Sequence, residues 1–432
     1  MVTPPRTVLM IAFHYPPMRG SSGIQRTLKF SQYLPQMHWQ PVVLSAHPRA
    51  YGNPGNDQMG EIPASVPVCR PFALDTARHL SWRGRYLGWL ALPDRWASWL
   101  VGALPAGLRL VRRHRPQVLW STYPIATAHL IGYALHRLTG LPWVADLRDP
   151  MTDEGYPEHA LTRRCYLWIE RKTVQHCTLA VCTTPGAVQT YRRRFPELPP
   201  ERFRLIENGY DEENFADAMV DAAPPPAGST AGRPLVLLHS GVIYPSERDP
   251  IPMLDALRAL RGQGVISAAT LRVVLRATGH DAYIEQLIAA RDLQDMVTVA
   301  PHQPYRAALA EMLSVDGLLI LQASNCNHQV PAKLYEYLRA GRPILALTDT
   351  IGDTAATLRA AGIDTIAPLD SQAGIEQGLQ RFLTLLANGK APLASDAAVA
   401  AHSRHARSVA LAALLDEAAG FPAALKVGAA AA

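Results

Sequence analysis

Short apolar runs alternate along this chain with longer amphipathic stretches, and the whole pattern occurs twice. In the first half, "TVLMIAF" (7–13) and "VLWST" (118–122) have the length and composition of buried strands. In the second half, "PLVLLHSG" (234–241) and "GLLILQ" (317–322) repeat the pattern. Continuous apolar strands separated by helices are typical of parallel sheets covered on both faces. The sequence therefore predicts an α/β protein made of two Rossmann-like, doubly wound parallel-sheet domains that face each other across a cleft.

The length of the chain agrees with two domains, because 432 residues exceed what one ordinary hydrophobic core organises. Between the two halves, residues 217–234 are dominated by Ala, Pro, Gly and Ser, which indicates a linker or a border loop. We predict an N-terminal domain at 1–212, a linker at 213–233, a C-terminal domain at 234–400 and an alanine-rich helical tail at 401–432.

Composition argues against several classes of protein. The five cysteines contain no Cys-x-x-Cys pair, so we expect neither a zinc site nor a disulfide framework, and a reducing cytoplasm fits best. The first residues lack the features of a signal peptide, and no run of about 18 apolar residues predicts a membrane span. The net charge of +6 is mild, and we expect no nucleic-acid partner.

Residues 82–115 concentrate tryptophan and arginine. They contain seven arginines against one acid, and four of the eight tryptophans. This mixture suits a membrane–water interface and predicts peripheral contact with anionic lipid. The alternative, favoured as the main role of the tryptophans, is a pair of amphipathic helices packed on their own domain. Pro93 and Pro105 are expected to interrupt any single long helix here.

Two loops of the first half lie where ligands bind in open parallel sheets, at the carboxyl ends of strands. "FHYPPMRGSSGIQR" (13–26) leads through Gly20 and Gly23 into a helix, so its backbone N–H groups can face an anion. A plain tight turn would look similar. "DLRDP" (146–150) contains Arg148 and Asp149, which either face the cleft or form a local ion pair.

Two loops of the second half contain cations. "SGVIYPSERDP" (240–250) begins near Gly241 and brings Arg248 towards a phosphate, unless it is a surface turn. In "HQVPAKLYEY" (328–337), Pro331 can start a helix, which leaves first-turn N–H groups and the Lys333 ammonium for an anion. Glu336, one turn further on, can accept hydrogen bonds from two adjacent hydroxyls. A diphosphate attached to a ribose would use both the anion site at Lys333 and the hydroxyl acceptor Glu336. The alternative is a solvated Lys/Glu pair without a ligand.

Four segments in this order resemble glycosyltransferase family 4 of the GT-B architecture over nearly the whole chain apart from the tail. They are "FHYPPMRGSSGIQRTLKFSQYLPQMHWQPVVLS", "DLRDP", "IENGYD" and "VPAKLYEYLRAGRPIL". The resemblance implies that Ser22, Gly23 and Arg26 match a Gly-Gly-x-x-Arg loop near the donor phosphates. It places Arg148 and Asp149 near the transferred sugar, where many members have a histidine followed by an acidic or small residue.

In the second half, the resemblance places Arg248 where the family has a lysine that binds the diphosphate. Glu336 matches the second glutamate of a Glu-seven-residues-Glu motif, the one that holds the ribose hydroxyls. His328 stands where the first glutamate is expected, Val242 replaces a usual arginine, and the usual Gly-x-Gly is reduced to Gly279. The predicted donor site of this half also includes Gly241, Ala332, Lys333 and Leu334.

The resemblance implies a retaining glycosyltransferase that moves a sugar from a nucleotide-diphosphate donor to a glycan or lipid-linked acceptor in exopolysaccharide or cell-surface polysaccharide synthesis. The predicted catalytic residues are Arg148, Asp149, Arg248 and Lys333, because cations stabilise the charge that grows on a leaving phosphate. No metal or other cofactor is expected. We expect the protein in the cytoplasm, at the inner face of the cytoplasmic membrane.

Three alternatives remain from the sequence. The His328 and Val242 departures would also suit a non-catalytic, nucleotide-sugar-binding scaffold subunit. A sugar-nucleotide 2-epimerase shares the architecture but needs a different set of acids and histidines. A nicotinamide-dependent enzyme would need the G-x-G-x-x-G turn with an acid about 20 residues on, and neither half contains it.

Overall fold

The computed structural model describes residues 6–19, 22–153, 155–222 and 233–422. Its strands are β1 (Arg6–Ile11), β2 (Trp39–Leu44), β3 (Val68–Cys69), β4 (Val118–Thr122), β5 (Trp143–Arg148), β6 (Leu179–Cys182), β7 (Phe203–Leu205), β8 (Leu235–Ser240), β9 (Leu271–Arg276), β10 (Val297–Ala300), β11 (Gly317–Gln322), β12 (Ile344–Thr348) and β13 (Ile366–Ala367). Its helices are α1 (Ser22–Tyr33), α2 (Thr76–His79), α3 (Trp99–His114), α4 (Ala126–Thr139), α5 (Ala160–His176), α6 (Pro185–Arg194), α7 (Glu212–Asp221), α8 (Ile251–Gly262), α9 (Asp281–Ala289), α10 (Tyr305–Ser314), α11 (Lys333–Ala340), α12 (Asp353–Ala360), α13 (Gln372–Ala387), α14 (Asp396–Ala401) and α15 (Arg404–Ala419).

The chain divides into two compact units, one formed by Met1–Glu207 with Arg404–Ala432 and the other by Asn208–Ser403. The described part of the first unit has a seven-stranded sheet in the order β3-β2-β1-β4-β5-β6-β7, and that of the second has six strands in the order β10-β9-β8-β11-β12-β13. All the strand pairs in both are parallel. The strand order reverses between β1 and β4 and between β8 and β11, so each sheet is doubly wound, as predicted.

Alternate side chains of the central strands enter separate cores on the two faces of each sheet. In β1, Leu9 and Ile11 belong to one core, and Val8 and Met10 to the other. Strand β11 divides in the same way, between one core with Leu319 and Leu321 and another with Leu318 and Ile320. This two-sided burial is why these strands are continuous apolar runs in the sequence.

The division into units differs from the predicted domain bounds at two places. Helix α7, from Glu212 to Asp221, occupies the first part of the segment predicted as a linker, because Asp211 caps its N-terminus through Asn214 N (3.2 Å) and Phe215 is fully buried. Residues 223–232 of that segment lie outside the described residues. Helix α15 is not a separate tail but packs Leu411 and Leu415 into a core of the first unit.

Two smaller details of the secondary structure differ from the sequence predictions. Helix α3 continues through Pro105, although proline removes the hydrogen bond to the Val101 carbonyl. Pro105 and Val101 both lie on the exposed side of the helix, where water can replace that bond. The two-residue strands β3 and β13 escaped prediction, because such short edge strands leave no periodic pattern. Among the described residues, no helix is both long enough and apolar enough to cross a membrane.

Candidate functional site

The end of strand β8 in the second unit holds a glycine that the local geometry requires. Gly241 has φ +127°, a backbone conformation that favours glycine. A Cβ atom at this position would also collide with the Lys333 ammonium. Gly241 therefore lets the Lys333 side chain lie directly against the carboxyl end of β8, beside the point where the strand order reverses.

His239, two residues earlier on β8, holds the Lys333 ammonium from within the sheet. Its imidazole is fully buried, and its Nδ1–H donates to the Leu319 carbonyl at 3.0 Å. The opposite nitrogen, Nε2, is then the acceptor that faces Lys333 Nζ at 3.3 Å. Burial, followed by the charge of Lys333, holds the pKa of His239 well below its usual value, so this histidine is a neutral acceptor.

The charged form of Lys333 is destabilised by its surroundings. Desolvation, together with the nearby Arg248 guanidinium, lowers the pKa of Lys333 to about 7, and Glu336 opposes this change. The ammonium is therefore partly deprotonated at neutral pH unless an anion joins it. Two cations this close, with one carboxylate, form a site that favours a multiply charged anion.

Arg248 lies in the loop after β8, as predicted. Its Nη1 donates to the Val242 carbonyl at 2.5 Å, and its guanidinium lies over the Tyr244 ring at 5.5 Å. Its Nε is buried and has no hydrogen-bond partner in the described part of the chain. An N–H of this kind is costly to leave unpaired, and a phosphate oxygen would satisfy it.

Helix α11 begins at this cluster. Its N-cap is Ala332, which offers no capping side chain, and the backbone N–H groups of Ala332 and Lys333 make no hydrogen bond to a described residue. These N–H groups and the helix dipole add to the positive potential. Leu334 does not contribute, which corrects its prediction as a donor-binding residue: its side chain is in the core and its N–H bonds the Pro331 carbonyl at 2.9 Å.

One turn along α11, Glu336 is half-buried and accepts a hydrogen bond from the Tyr305 hydroxyl at 2.7 Å. Tyr305 begins helix α10, so the carboxylate is oriented by a neighbouring element. His328 lies half-buried in the loop between β11 and α11. The structure thus brings together Gly241, Arg248, Lys333 and Glu336, which sequence reasoning had selected from separate loops.

In the first unit, Arg26 is bound differently from the prediction. Its side chain is buried and makes a bidentate ion pair with Asp146, with Nε to Oδ2 at 2.9 Å and Nη2 to Oδ1 at 2.8 Å. It also donates to the carbonyls of Ile206 (2.9 Å) and Glu207 (3.0 Å). The Thr122 hydroxyl donates to the same carboxylate at 2.7 Å. This saturated network joins α1 to the ends of three strands, so we reassign Arg26 from phosphate binding to holding the sheet edge together.

Arg148 ends β5 at a register shift and has φ +62°, unusual for a residue with a side chain. Its Nη1 donates to the Tyr123 carbonyl at 3.3 Å, whereas its buried Nε has no partner among the described residues. Burial lowers the pKa of Arg148. Asp149 is half-buried and accepts from the Thr183 hydroxyl at 3.0 Å. The two residues do not form a simple exposed ion pair, and Arg148 keeps a donor for an anion.

His14, close to Arg148, was not selected from the sequence. Burial and the Arg148 charge lower the pKa of His14 to about 3, so it is neutral at physiological pH.

Gly23 is buried in the first turn of α1. Gly20 and the side chain of Ser22 lie outside the described residues.

Sequence reasoning did not select His14, Asp146, His239 or Tyr305 as site residues. The first three share a signal, because each is a polar residue in or just after an apolar strand, whereas Tyr305 opens a helix and has no such signal. A histidine or aspartate in a strand that is otherwise Val, Ile and Leu indicates a buried polar contact. Among the described residues, no group of three or more His, Cys, Asp or Glu side chains is arranged to hold a metal ion.

Comparisons with known proteins identify the family of the first unit and the fold of the chain. Residues 22–209 match the family described as "Glycosyl transferase 4-like domain". No curated protein sequence matches the chain significantly.

Among solved structures, similar folds include the sucrose-phosphate synthase from Thermosynechococcus elongatus (14% identity, TM-score 0.67, covering 95% of this chain and 98% of that one). They also include Anabaena Alr3699/HepE in complex with UDP (12% identity, TM-score 0.62, covering 95% of this chain and 100% of that one). A third is WaaG, a glycosyltransferase involved in lipopolysaccharide biosynthesis (13% identity, TM-score 0.59, covering 95% of this chain and 99% of that one). At these identities the likeness is one of fold, and the family match adds the class: the chain is a glycosyltransferase of the GT-B fold with a glycosyl transferase 4-like domain at residues 22–209.

Proposed function

We propose that this glycosyltransferase takes its sugar from a nucleoside-diphosphate donor, whose diphosphate binds at the carboxyl end of β8. The observation that carries the proposal is the cluster of Gly241, Arg248 and Lys333. It combines two crowded cations, a buried guanidinium N–H without a partner and an uncapped helix N-terminus. A diphosphate supplies the negative charge and the acceptor oxygens that such a cluster lacks.

In this proposal Glu336 accepts hydrogen bonds from the two ribose hydroxyls, with its carboxylate held by Tyr305. The nucleotide is thereby fixed at two points, the diphosphate and the ribose. UDP in the similar Anabaena structure makes a uridine nucleotide the first candidate to test.

The chemical role of the cluster follows from charge. When the bond between the sugar and the phosphate breaks, negative charge grows on the leaving diphosphate, and Arg248 and the protonated Lys333 stabilise it. Retention of configuration, with the leaving phosphate accepting the proton of the acceptor hydroxyl, is part of the proposal. Arg148 and Asp149 are proposed to act in the first unit, where the buried Arg148 keeps a free donor.

We propose a glycan or lipid-linked sugar as the acceptor, in cell-surface or exopolysaccharide synthesis. The similarity of fold to WaaG supports this choice. We further propose that the reaction takes place in the cytoplasm, at the inner face of its membrane, and that it requires no metal.

The test begins with binding. UDP, GDP, ADP and TDP are titrated into the full chain and into Glu336→Ala, with heat of binding and melting temperature as readouts. A nucleotide at 100 times its dissociation constant should stabilise the wild type by about 2.7 kcal/mol. One nucleotide that binds the wild type and much more weakly the variant supports the proposal, and no binding by any of the four contradicts it.

A scaffold subunit without activity is the second candidate, because His328 and Val242 replace residues that the family resemblance leads one to expect. It predicts nucleotide binding without turnover. Product analysis by NMR with the matching nucleotide sugar and a panel of lipid-linked acceptors separates the two, and the anomeric signal of the product tests retention.

A further inference from the structure

The loop at residues 80–90 of the first unit exposes apolar and aromatic side chains together. Trp82 is 78% exposed, Leu87 61% and Trp89 67%, and every residue from 82 to 89 is exposed. Large apolar side chains grouped in this way on a surface mark an interaction site. The loop is distinct from the residues that hold the proposed donor.

The other two tryptophans of this region behave in the opposite way. Trp99 is fully buried and donates to the Ser45 carbonyl at 3.1 Å, and Trp96 donates to the Ala50 carbonyl at 3.1 Å. They form part of the domain, as the sequence analysis favoured for the tryptophans in general. The exposure of Trp82 and Trp89 is therefore a property of this loop and not of tryptophan-rich sequence.

The loop is held in a defined shape. Trp82 and Arg85 pair through both backbone hydrogen bonds (2.7 and 3.0 Å) around a tight turn in which Arg83 and Gly84 have φ +49° and +77°. At its base, the Thr76 hydroxyl donates to the Leu90 carbonyl at 3.0 Å. The fold thus fixes the apolar side chains outward instead of letting them collapse onto the core.

Charge decides which partner fits. Arg83 and Arg85 are exposed between the aromatic residues, and the sequence from Leu80 to Leu92 contains no acid. Aromatic rings at the level of the headgroups, with arginines that reach phosphates, are the combination that binds the interface of an anionic bilayer.

We propose that loop 80–90 docks on an anionic membrane surface, with Trp82, Leu87 and Trp89 in the interfacial layer and Arg83 and Arg85 on lipid phosphates. This narrows the expected membrane contact from residues 82–115 to one loop. The proposal rests on the membrane location given under the proposed function and names the surface responsible for it. Its test is independent of the donor site, because membrane docking needs neither donor nor acceptor.

The experiment is co-flotation of the full chain with vesicles of phosphatidylcholine alone and of an equal mixture with phosphatidylglycerol. The wild type should float with the mixed vesicles and not with phosphatidylcholine. Trp82→Ala/Trp89→Ala and Arg83→Gln/Arg85→Gln should each lower the bound fraction by about tenfold or more, and the arginine variant should lose most of its salt dependence.

The matched control is Leu138→Ala/Trp168→Ala, which removes exposed apolar side chains elsewhere on the same unit (63% and 49% exposed). It should float like the wild type. The proposal is overturned if the wild type does not float, if the loop variants float equally well, or if the control loses binding to the same extent.

Two further readouts keep the result unambiguous. All changed residues are exposed, so an unchanged melting temperature checks that each variant is folded. If chromatography shows a wild-type dimer that the tryptophan variant dissociates, and no vesicle binds, the loop is a self-interface and the lipid proposal is wrong. Nucleotide titration without vesicles should be the same for all variants, so failure here is distinguishable from failure of the proposed donor site.

Discussion

The two sheets each have a basic side chain near the point where the strand order reverses, and the two side chains are in opposite states. In the first unit, Arg26 donates its N–H groups to Asp146 and to two backbone carbonyls. In the second, Lys333 contacts a neutral histidine and is repelled by Arg248, and its pKa falls to about 7. A saturated cation stabilises the scaffold, whereas a crowded and desolvated one is suited to an anionic ligand. Position at the carboxyl edge of a sheet is thus not enough to identify a binding residue.

The largest expected effect comes from breaking the saturated pair. Arg26→Ala should lower the free energy of unfolding by about 3–5 kcal/mol, because it leaves the buried Asp146 carboxylate without its partner. Urea denaturation of the wild type and the variant measures the loss. The control is Arg261→Ala, which removes an exposed pair with Asp295 (2.9 Å) and should cost less than about 1 kcal/mol. Equal stability of the Arg26 variant and the wild type would show that the pair is not structural.

The next effect concerns the crowded cation. Lys333→Met should reduce kcat by about 10²–10³, since it removes charge that stabilises the leaving diphosphate. Stability should be unchanged or higher, because the buried charge and its repulsion from Arg248 disappear. Single-turnover kinetics and urea denaturation give the two numbers, with exposed Lys390→Met as the control that should change neither. A variant that loses stability but keeps kcat would reverse the roles assigned to the two cations.

Glu336→Gln should weaken binding of the nucleoside diphosphate by about 10- to 100-fold, the value of hydrogen bonds to a charged group. The corresponding 2′,3′-dideoxy nucleotide lacks the hydroxyls that Glu336 would accept, so the variant and the wild type should bind it equally. Calorimetric titration of both nucleotides against both proteins gives the four affinities that this comparison needs. An equal loss for the two nucleotides would mean that Glu336 acts through Lys333 and not on the ribose.

The smallest effect, counted per pH unit, is the pH dependence that Lys333 gives to stability and binding. Folding lowers the pKa of Lys333 from 10.5 to about 7, so between these values the unfolded chain binds a proton that the folded chain does not. Stability without ligand should therefore rise from pH 7 towards pH 10.5, and Lys333→Met should flatten that rise. A bound diphosphate favours the charged ammonium, so affinity should fall by at most about tenfold per unit above pH 7.

Titrations in two buffers of different ionisation enthalpy should show a proton taken up on binding. In Lys333→Arg the cation remains charged, and the proton uptake should vanish. A pH-independent affinity in the wild type would place the Lys333 pKa near its usual value and remove the contrast with Arg26.

Much of the fold could be predicted because two-sided burial leaves long apolar runs, which is why β4 and β11 match their expected bounds. The cluster around Lys333 could also be predicted, since its members lie in loops that a parallel sheet brings to one edge. The hydrogen-bond partners of individual side chains could not be predicted from the sequence. Arg26 and Asp146 are 120 positions apart, and only the strand order shows that they meet. His239 was indistinguishable from a core residue until its two ring nitrogens had partners.

Helix α15 has a consequence for the order in which the molecule is made. Its Leu411 and Leu415 cover the face of the first sheet that contains Met10 and Trp39, yet the ribosome synthesises them after the whole of the second unit. The unit that emerges first is therefore completed last, and during translation its apolar face stays open to solvent while the second unit can already fold. Nascent chains in this state are substrates for chaperones, so expression of this protein should depend more on chaperone supply than the stability of the finished fold would suggest.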